Sequence, residues 1–100
     1  MPGISIILPA LNEAETIERT LSCVQQMRRR NCEVILVDGG SSDATMDLAS
    51  PLADKILACE KGRASQLEHG VKHSNAPLIW FLHADTRVPE NADEVIDTAL

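Results

Sequence analysis

The sequence is short of basic charge. Its 100 residues include nine lysines and arginines against fifteen aspartates and glutamates, which gives a formal net charge of −6. Because nucleic-acid phosphates repel an acidic surface, this balance disfavours a nucleic-acid partner. The one basic run, residues 28–30, falls late in a predicted helix, where positive side chains suit the negative end of the helix dipole.

Long apolar runs and zinc-type cysteine spacings are absent as well. No apolar run approaches the ~18 residues that a membrane-spanning helix needs, so we predict no transmembrane segment. Residues 1–3 lead into a predicted strand without a charged or long apolar leader, so we expect no secretory signal. The cysteines are odd in number and fit no zinc pattern. We interpret Cys23, Cys32 and Cys59 as structural thiols of a reducing compartment and predict a cytoplasmic protein.

The sequence does contain a regular alternation of strand-like and helix-like segments. This pattern is typical of an α/β fold, in which a parallel sheet carries crossover helices on both faces. The predicted strands span residues 5–8, 33–37, 55–58 and 78–82. Residues 97–100 keep a helical character without a stop signal, so we expect one domain over residues 1–100 that is truncated at its carboxyl end.

Capping residues and apolar spacing predict the helices. Asn12 is the predicted N-cap of the first helix, with Glu15 as its capping-box partner. Ser42 caps a short second helix that ends at Ala49. A third helix spans about residues 64–73, and a last one follows Pro89. The side chains expected to face the sheet are Ile17, Leu21, Val24 and Met27 in the first helix and Ala64, Leu67 and Val71 in the third.

Three of the predicted strands end in polar loops, at residues 9–13, 38–43 and 83–86. In open α/β sheets, ligands bind beyond the carboxyl ends of the strands. We therefore expect one binding site assembled from these loops. Two interpretations of Asp38 stay open: its carboxylate accepts hydrogen bonds from a base or ribose, or it closes an Asx turn on nearby backbone N–H groups. Gly39 and Gly40 let a ligand approach the backbone.

Other polar residues near the strand ends also allow two interpretations. Ser41, Ser42, Asp43 and Asn12 are first of all capping residues. Lys61 and Arg63 flank Gly62 before a helix. This arrangement either binds a diphosphate or is simply an exposed basic turn. Asp85 is a good ligand for Mg²⁺ or Mn²⁺, especially when substrate phosphates complete the shell. His83 either adds a nitrogen ligand or orients a group by a hydrogen bond.

The order and spacing of these motifs resemble the nucleotide-binding half of family 2 glycosyltransferases, which have the GT-A fold. The similarity runs from Ile4 to about Pro89. Residues 5–13 resemble the family's opening strand and Pro-x-x-Asn-Glu loop, and residues 37–43 resemble its Val-Asp-Asp-Gly-Ser-Thr-Asp segment. Residues 61–64, with Leu67 and Gly70, resemble its Gly-rich basic segment. Residues 81–86 align with the segment that contains its DxD metal site.

The resemblance implies an enzyme that transfers a sugar from a UDP- or GDP-sugar to an acceptor not identified by the sequence, with help from Mn²⁺ or Mg²⁺. It implies a Rossmann-like sheet with strand order 3-2-1-4. Asp38 would bind the base, Arg63 would lie near the base or diphosphate, and Asp85 would hold the metal ion. The implied nucleotide-sugar-binding residues are Pro9, Ala10, Asn12, Glu13, Asp38, Gly39, Ser41, Lys61, Gly62, Arg63, His83, Ala84 and Asp85.

The sequence departs from the family pattern at two positions. Gly39 stands where the family has its second acid after the second strand, and His83 stands where it has the first acid of the DxD motif. The His-Ala-Asp-Thr variant resembles a bacterial subgroup associated with arsenosugar biosynthesis. No motif identifies a general base.

The sequence also allows two other functions and predicts an assembly state. The chain alone is a non-catalytic nucleotide-binding or interaction module if the acceptor half is missing. Sugar-phosphate nucleotidylyltransferases share the architecture, but their Gly-rich basic loop directly follows the first strand, where this chain has residues 9–13. An open apolar edge beside the fourth strand predicts self-association, so a homo-oligomer is expected.

Overall fold

The computed structural model describes residues 3–83, which form a four-stranded parallel sheet of order 3-2-1-4. The strands are β1 (Ile4–Ala10), β2 (Cys32–Asp38), β3 (Lys55–Ala58) and β4 (Leu78–Phe81). The parallel sheet and its strand order are therefore confirmed. β1 and β2 pair along their full length, from Ile4 with Cys32 to Ala10 with Asp38. Both central strands consequently end at the same level of the sheet.

Helices cover both faces of the sheet, as predicted. They are α1 (Ile17–Cys23), α2 (Gln25–Arg30), α3 (Thr45–Ala49) and α4 (Arg63–Lys72), with a 3₁₀ turn at Ser50–Leu52. Side chains alternate across a strand, so Ile6 and Leu8 of β1 pack on the face that α1 and α2 cover. Ile7 belongs to a smaller cluster on the other face, against Leu67 of α4.

The first helix begins later than the sequence predicted. α1 starts at Ile17 with Thr16 as N-cap, so the prediction that Asn12 caps it with Glu15 is wrong. Asn12 has a φ of 53°, which no helix start adopts, and it sits in a loop. The helical stretch is also divided into α1 and α2 at Val24. The predicted inward face is confirmed, since all four of its side chains are fully buried: Ile17, Leu21, Val24 and Met27.

Ser42 is not the cap of α3, because that helix begins at Thr45 with Ala44 as its N-cap. The predicted sheet-facing side of α4 is right for Leu67, which packs on the Ile7 cluster, and wrong for Ala64 and Val71, which are exposed. Its buried residues are Gln66 and Gly70, whereas Val71 is 41% exposed. The helix lies so close to the sheet that a Cβ at Gly70 would stand 2.6 Å from Cγ2 of Ile7. Gly70 and Gln66 therefore make the close contact with the sheet that apolar spacing assigned to Ala64 and Val71.

β4 is an edge strand among the described residues, and its side chains are only partly buried. Phe81 at its end is 49% exposed. The three cysteines are all free thiols, with Cys32 the buried one. Between residues 3 and 83, the helices lack the length and apolar character needed to cross a bilayer. The helix predicted after Pro89 lies outside the described residues.

The amino edge of the sheet, where the strands begin, holds a buried acid with a full set of partners. Glu33 of β2 accepts hydrogen bonds from the Ser5 hydroxyl at 2.7 Å and the Asn75 backbone N–H at 3.0 Å. Its carboxylate lies 2.9 Å from the Lys55 ammonium. Burial raises the pKa of Glu33, but the bonds from Lys55, Ser5 and Asn75 outweigh burial and leave that pKa below its ordinary value. The negative charge of Glu33 is therefore balanced within the protein by Lys55.

Candidate functional site

A cavity of about 300 Å³ opens at the carboxyl edge of the sheet. It lies between the end of β1 and the turn that begins α4, and His83 after β4 completes it. Its lining residues are Pro9, Ala10, Leu11, Glu13, Lys61, Gly62, Arg63, Gln66 and His83. Seven of these are residues that the resemblance implied. The cavity brings together the loops after β1 and β4, as predicted, with the turn after β3, whereas no residue of the predicted loop at 38–43 lines it.

The basic turn, residues 61–63, forms one wall of this cavity. Lys61 and Arg63 are exposed, and neither forms an ion pair with another residue between 3 and 83. Gly62 between them has a φ of +143°, a conformation that side chains disfavour. It is the N-cap of α4, and the first backbone N–H groups of a helix point outward with a partial positive charge. The turn therefore presents positive potential to the cavity.

Asp38 closes an Asx turn in its own loop. Its Oδ2 accepts hydrogen bonds from the backbone N–H groups of Gly40 at 2.9 Å and Ser41 at 2.7 Å, and its Oδ1 accepts one from the Ser41 hydroxyl. The residue is 1% exposed. Of the two interpretations left open by the sequence, the structure shows the Asx turn. Asp38, Gly39 and Ser41 lie beside the cavity but are not among its lining residues. Their nucleotide contacts stay a prediction.

Asn12 joins the loop after β1 to the loop after β2. Its backbone N–H donates to the Ser41 hydroxyl at 2.8 Å, and its side-chain oxygen accepts from the Ser42 N–H at 2.8 Å. Because Asp38 holds Ser41 in turn, the buried acid indirectly positions the loop that lines the cavity. Asn12 itself is outside the lining, so its role here is to hold two loops together.

A second pair of contacts strengthens this junction. The Glu13 N–H donates to the Thr45 hydroxyl at 2.8 Å, and the Ala14 N–H donates to Oδ2 of Asp43 at 3.2 Å. Asp43 also accepts hydrogen bonds from the hydroxyl and N–H of Thr45. The side-chain bond from Thr45 is the main reason that the pKa of Asp43 lies below its ordinary value. Glu13 is thereby held at the cavity by its backbone.

Gln66, with Leu11, is one of the two lining residues that the sequence prediction did not include. Its buried side chain lines the cavity and bonds the ends of β1 and β2 through the carbonyls of Ala10 and Val37. Apolar spacing cannot detect a polar residue on the inner face of a helix. The available signal was the spacing of Gln66 and Gly70, an amide and a small residue one turn apart.

The predicted metal ligand, Asp85, lies outside the described residues, as does Ala84. Within residues 3–83, no group of three or more histidines, cysteines, aspartates and glutamates is placed to hold a metal ion. Glu13 and His83 bring one carboxylate and one imidazole to the cavity lining.

Comparison with known proteins identifies the family. The family described as Glycosyl transferase family 2 matches residues 5–96, nearly the whole chain. The chain belongs to glycosyl transferase family 2. Poly-β-1,6-N-acetyl-D-glucosamine synthase of Staphylococcus aureus (strain COL) is 34% identical over an alignment of 98 residues that covers 92% of this chain and 24% of that protein. The same enzyme of Staphylococcus epidermidis is 31% identical over an alignment of 96 residues that covers 90% of this chain and 23% of that protein. The chain spans about a quarter of the length of these relatives.

Solved structures share the fold. Glucosyl-3-phosphoglycerate synthase from Mycobacterium tuberculosis, in complex with Mn²⁺, UDP and glucosyl-3-phosphoglycerate, has a TM-score of 0.82 at 22% identity, covering 93% of this chain and 37% of that one. TarS of S. aureus, residues 1–349, has a TM-score of 0.85 at 17% identity, covering 96% of this chain and 31% of that one. The Rossmann-like GT-A fold is therefore confirmed. The arsenosugar subgroup stays a prediction.

Proposed function

We propose that this chain forms the donor-binding part of a glycosyltransferase that moves a sugar from a UDP- or GDP-sugar to an acceptor. The observation that carries the proposal is the cavity at the carboxyl edge, where Lys61 and Arg63 face a cleft without an acidic partner among residues 3–83. A diphosphate supplies the missing negative charge, and family membership makes a nucleotide sugar its natural source.

Different residues of the cavity lining would contact different parts of the nucleotide. The cations of the basic turn would bind the diphosphate together with the N-terminal N–H groups of α4, a helix of ten residues. Pro9, Ala10 and Glu13 would contact the nucleoside from the end of β1. The base contact proposed for Asp38 would require one more acceptor position on a carboxylate that already takes three hydrogen bonds. With or without that base contact, the Asx turn makes Asp38 a structural support of its loop.

We further propose that Asp85 holds Mn²⁺ or Mg²⁺ beside this cavity. A carboxylate, the donor's phosphate oxygens and waters form a suitable oxygen shell for either ion. When bound, the ion would neutralise charge on the departing nucleoside diphosphate. The glucosyl-3-phosphoglycerate synthase structure that contains both Mn²⁺ and UDP supports a metal-assisted donor.

Calorimetric titration of the chain with UDP and GDP, with and without Mn²⁺, tests the donor site. We expect binding that the metal strengthens at least tenfold, and we expect Asp85→Ala to abolish that metal dependence. Asp47→Ala is the control, because Asp47 is an exposed acid on α3 away from the cavity lining. Equal metal dependence in Asp85→Ala would contradict the assigned ligand, and no binding of either nucleotide would contradict the donor site.

A nucleotide-binding module without turnover is the second candidate for the 100-residue chain. It is favoured by the match to only 24% of the curated relative's length and by the lack of an identified general base. Incubation of the chain with UDP- and GDP-sugars separates the two functions. Donor hydrolysis or sugar transfer supports the enzyme, whereas nucleotide binding without product supports the module.

A further inference from the structure

We propose that Gln66 is the positioning residue of the donor cavity, and that it excludes any side chain at position 39. The first part rests on the proposed function. Gln66 does not need to touch the sugar or the phosphates in this role. It acts by fixing the basic turn against the ends of the two central strands.

The bonds of Gln66 connect three separate segments. Its amide nitrogen donates to the Ala10 carbonyl at 3.0 Å and the Val37 carbonyl at 2.9 Å, so both amide hydrogens are used. Its side-chain oxygen accepts from the Gly62 N–H at 3.3 Å. The residue is 4% exposed, and a buried amide with satisfied partners keeps a single orientation. The ends of β1 and β2 are thereby tied to the basic turn.

Gly62 is held by Gln66 from both sides. The Gln66 backbone N–H donates to the Gly62 carbonyl at 2.9 Å, while the Gln66 side chain accepts from the Gly62 N–H. Since Gly62 lies between Lys61 and Arg63, its position fixes the backbone from which both basic side chains extend. No other described side chain bonds the backbone of this turn. Without the Gln66 amide, both cations would still be present, but the turn that carries them could move relative to β1.

The same amide determines what position 39 can be. A Cβ built on Gly39 would stand 2.9 Å from Oε1, 3.0 Å from Cδ and 3.1 Å from Nε2 of Gln66. The amide is the end of a flexible side chain, but its three bonds resist displacement. Gly39 therefore follows from Gln66, and the departure from the family's second acid has a steric cause in this chain. The amide occupies space beside the cavity that a carboxylate would otherwise need.

The decisive variant is Gln66→Met, which keeps the length and removes the polar atoms. Gln25→Met is the matched control, because the Gln25 amide also donates to two backbone carbonyls, those of Leu21 at 3.0 Å and Leu52 at 2.7 Å, far from the cavity lining. We expect both variants to lower Tm by about 5 °C. Only Gln66→Met should weaken UDP or GDP binding, by about tenfold, as expected when a charge-assisted contact is misplaced.

A double-mutant cycle tests the claim about position 39 without any nucleotide. Gly39→Ala should lower Tm by about 5 °C in the native background and by less than half as much in a Gln66→Ala background, where the amide is gone. Equal shifts in the two backgrounds would overturn this part.

The outcomes separate the positioning role from the proposed function. If the unmodified chain binds nucleotide and Gln66→Met binds it equally well, the positioning role is wrong and the donor site stands. If the unmodified chain binds neither UDP nor GDP, the donor site and the positioning role fall together. The exclusion at position 39 is then still judged by the Tm cycle.

Discussion

The two edges of the sheet both carry clefts with charged walls, and they differ in how those charges are partnered. At the amino edge, a cleft of about 410 Å³ is lined by Arg28, Glu33 and Asp54 among others. Arg28 pairs with Asp54 at 3.0 Å, and Glu33 pairs with Lys55 at 2.9 Å. At the carboxyl edge, a smaller cleft of about 300 Å³ carries two cations without such partners among the described residues.

The proposed ligand site is thus the smaller of the two clefts, and what favours it is the partnering of charges and not the size. The larger cleft is electrostatically complete, since Asp54 also accepts the Val34 N–H at 2.7 Å and Glu33 takes bonds from three residues. Its charges stabilise the fold. In the smaller cleft, Lys61 and Arg63 form no ion pair among residues 3–83, so both cations can accept a bound anion. Parallel strands place this second cleft where the loops can vary without disturbing the core.

The largest expected effect comes from Glu33→Ala at the amino edge. Removing the carboxylate leaves the buried Ser5 hydroxyl without its acceptor and the Lys55 ammonium with the His73 carbonyl but no counter-charge. We therefore expect the free energy of unfolding in urea to fall by about 3 kcal/mol. Glu68→Ala is the control, because Glu68 and Lys72 form an exposed pair and should contribute less than about 0.5 kcal/mol. Nucleotide affinity should not change in Glu33→Ala. A nucleotide-binding defect in a variant that remains folded would erase the distinction between the edges.

Arg63→Ala at the carboxyl edge should show the opposite behaviour. We expect UDP or GDP affinity to fall about thirtyfold, the value of one charge-assisted contact, with the free energy of unfolding unchanged within about 0.5 kcal/mol. Calorimetry and urea unfolding on the same samples measure both quantities. Arg29→Ala is the matched control, since Arg29 is an exposed arginine in the last turn of α2. Equal losses of affinity in the two arginine variants would indicate general charge attraction rather than a site.

Asn12→Ala tests whether the loops at the carboxyl edge form one unit. The change removes the acceptor of the Ser42 N–H and places alanine at a φ of 53°. We expect a loss of about 1–2 kcal/mol in the free energy of unfolding. Asn12→Gly should lose less, because glycine tolerates this φ and only the hydrogen bond is missing. Identical losses in the two variants would show that the backbone conformation contributes nothing.

The smallest effect is the pH dependence of the amino edge. The pKa of Glu33 is lowered from 4.5 in the folded protein, so Glu33 contributes stability above about pH 4.5 that is lost as the pH falls through its folded pKa. Protonation keeps the side chain and part of its bonding, so it costs less than deletion. In Glu33→Gln, the fall in unfolding free energy below about pH 5 should be shallower. An unchanged acid profile in this variant would contradict the assignment.

Much of the fold could be predicted because it depends on apolar patterning. The runs at Ile4–Ala10 and Cys32–Asp38 are almost wholly buried, and such strands occur in a parallel sheet covered on both sides. The parallel order then puts the strand ends together. Seven of the nine lining residues were named in advance, but as residues that the resemblance to the family implies and not from apolar patterning.

The missed features depend on side-chain hydrogen bonds between distant segments. Asn12 looks like a helix cap in sequence, but its partners are 29 and 30 residues away in another loop. Gln66 bonds a carbonyl 56 residues away, and hydrophobic spacing carries no information about such a contact. Local propensity therefore predicted the wrong start for α1 and, in α4, placed Ala64 and Val71 against the sheet where tertiary contacts put Gln66 and Gly70.

Chemical-shift mapping of the isotope-labelled chain with UDP and GDP in the presence of Mg²⁺ tests the central claim most directly, since it compares both edges in one unmodified sample. We predict that the amide shifts concentrate at residues 9–13 and 61–66 and at His83, the segments that line the carboxyl-edge cavity. Residues 28–33, 54, 55 and 75 at the amino edge should not respond. Shifts centred on the amino edge, or none at either edge at millimolar nucleotide, would contradict the account.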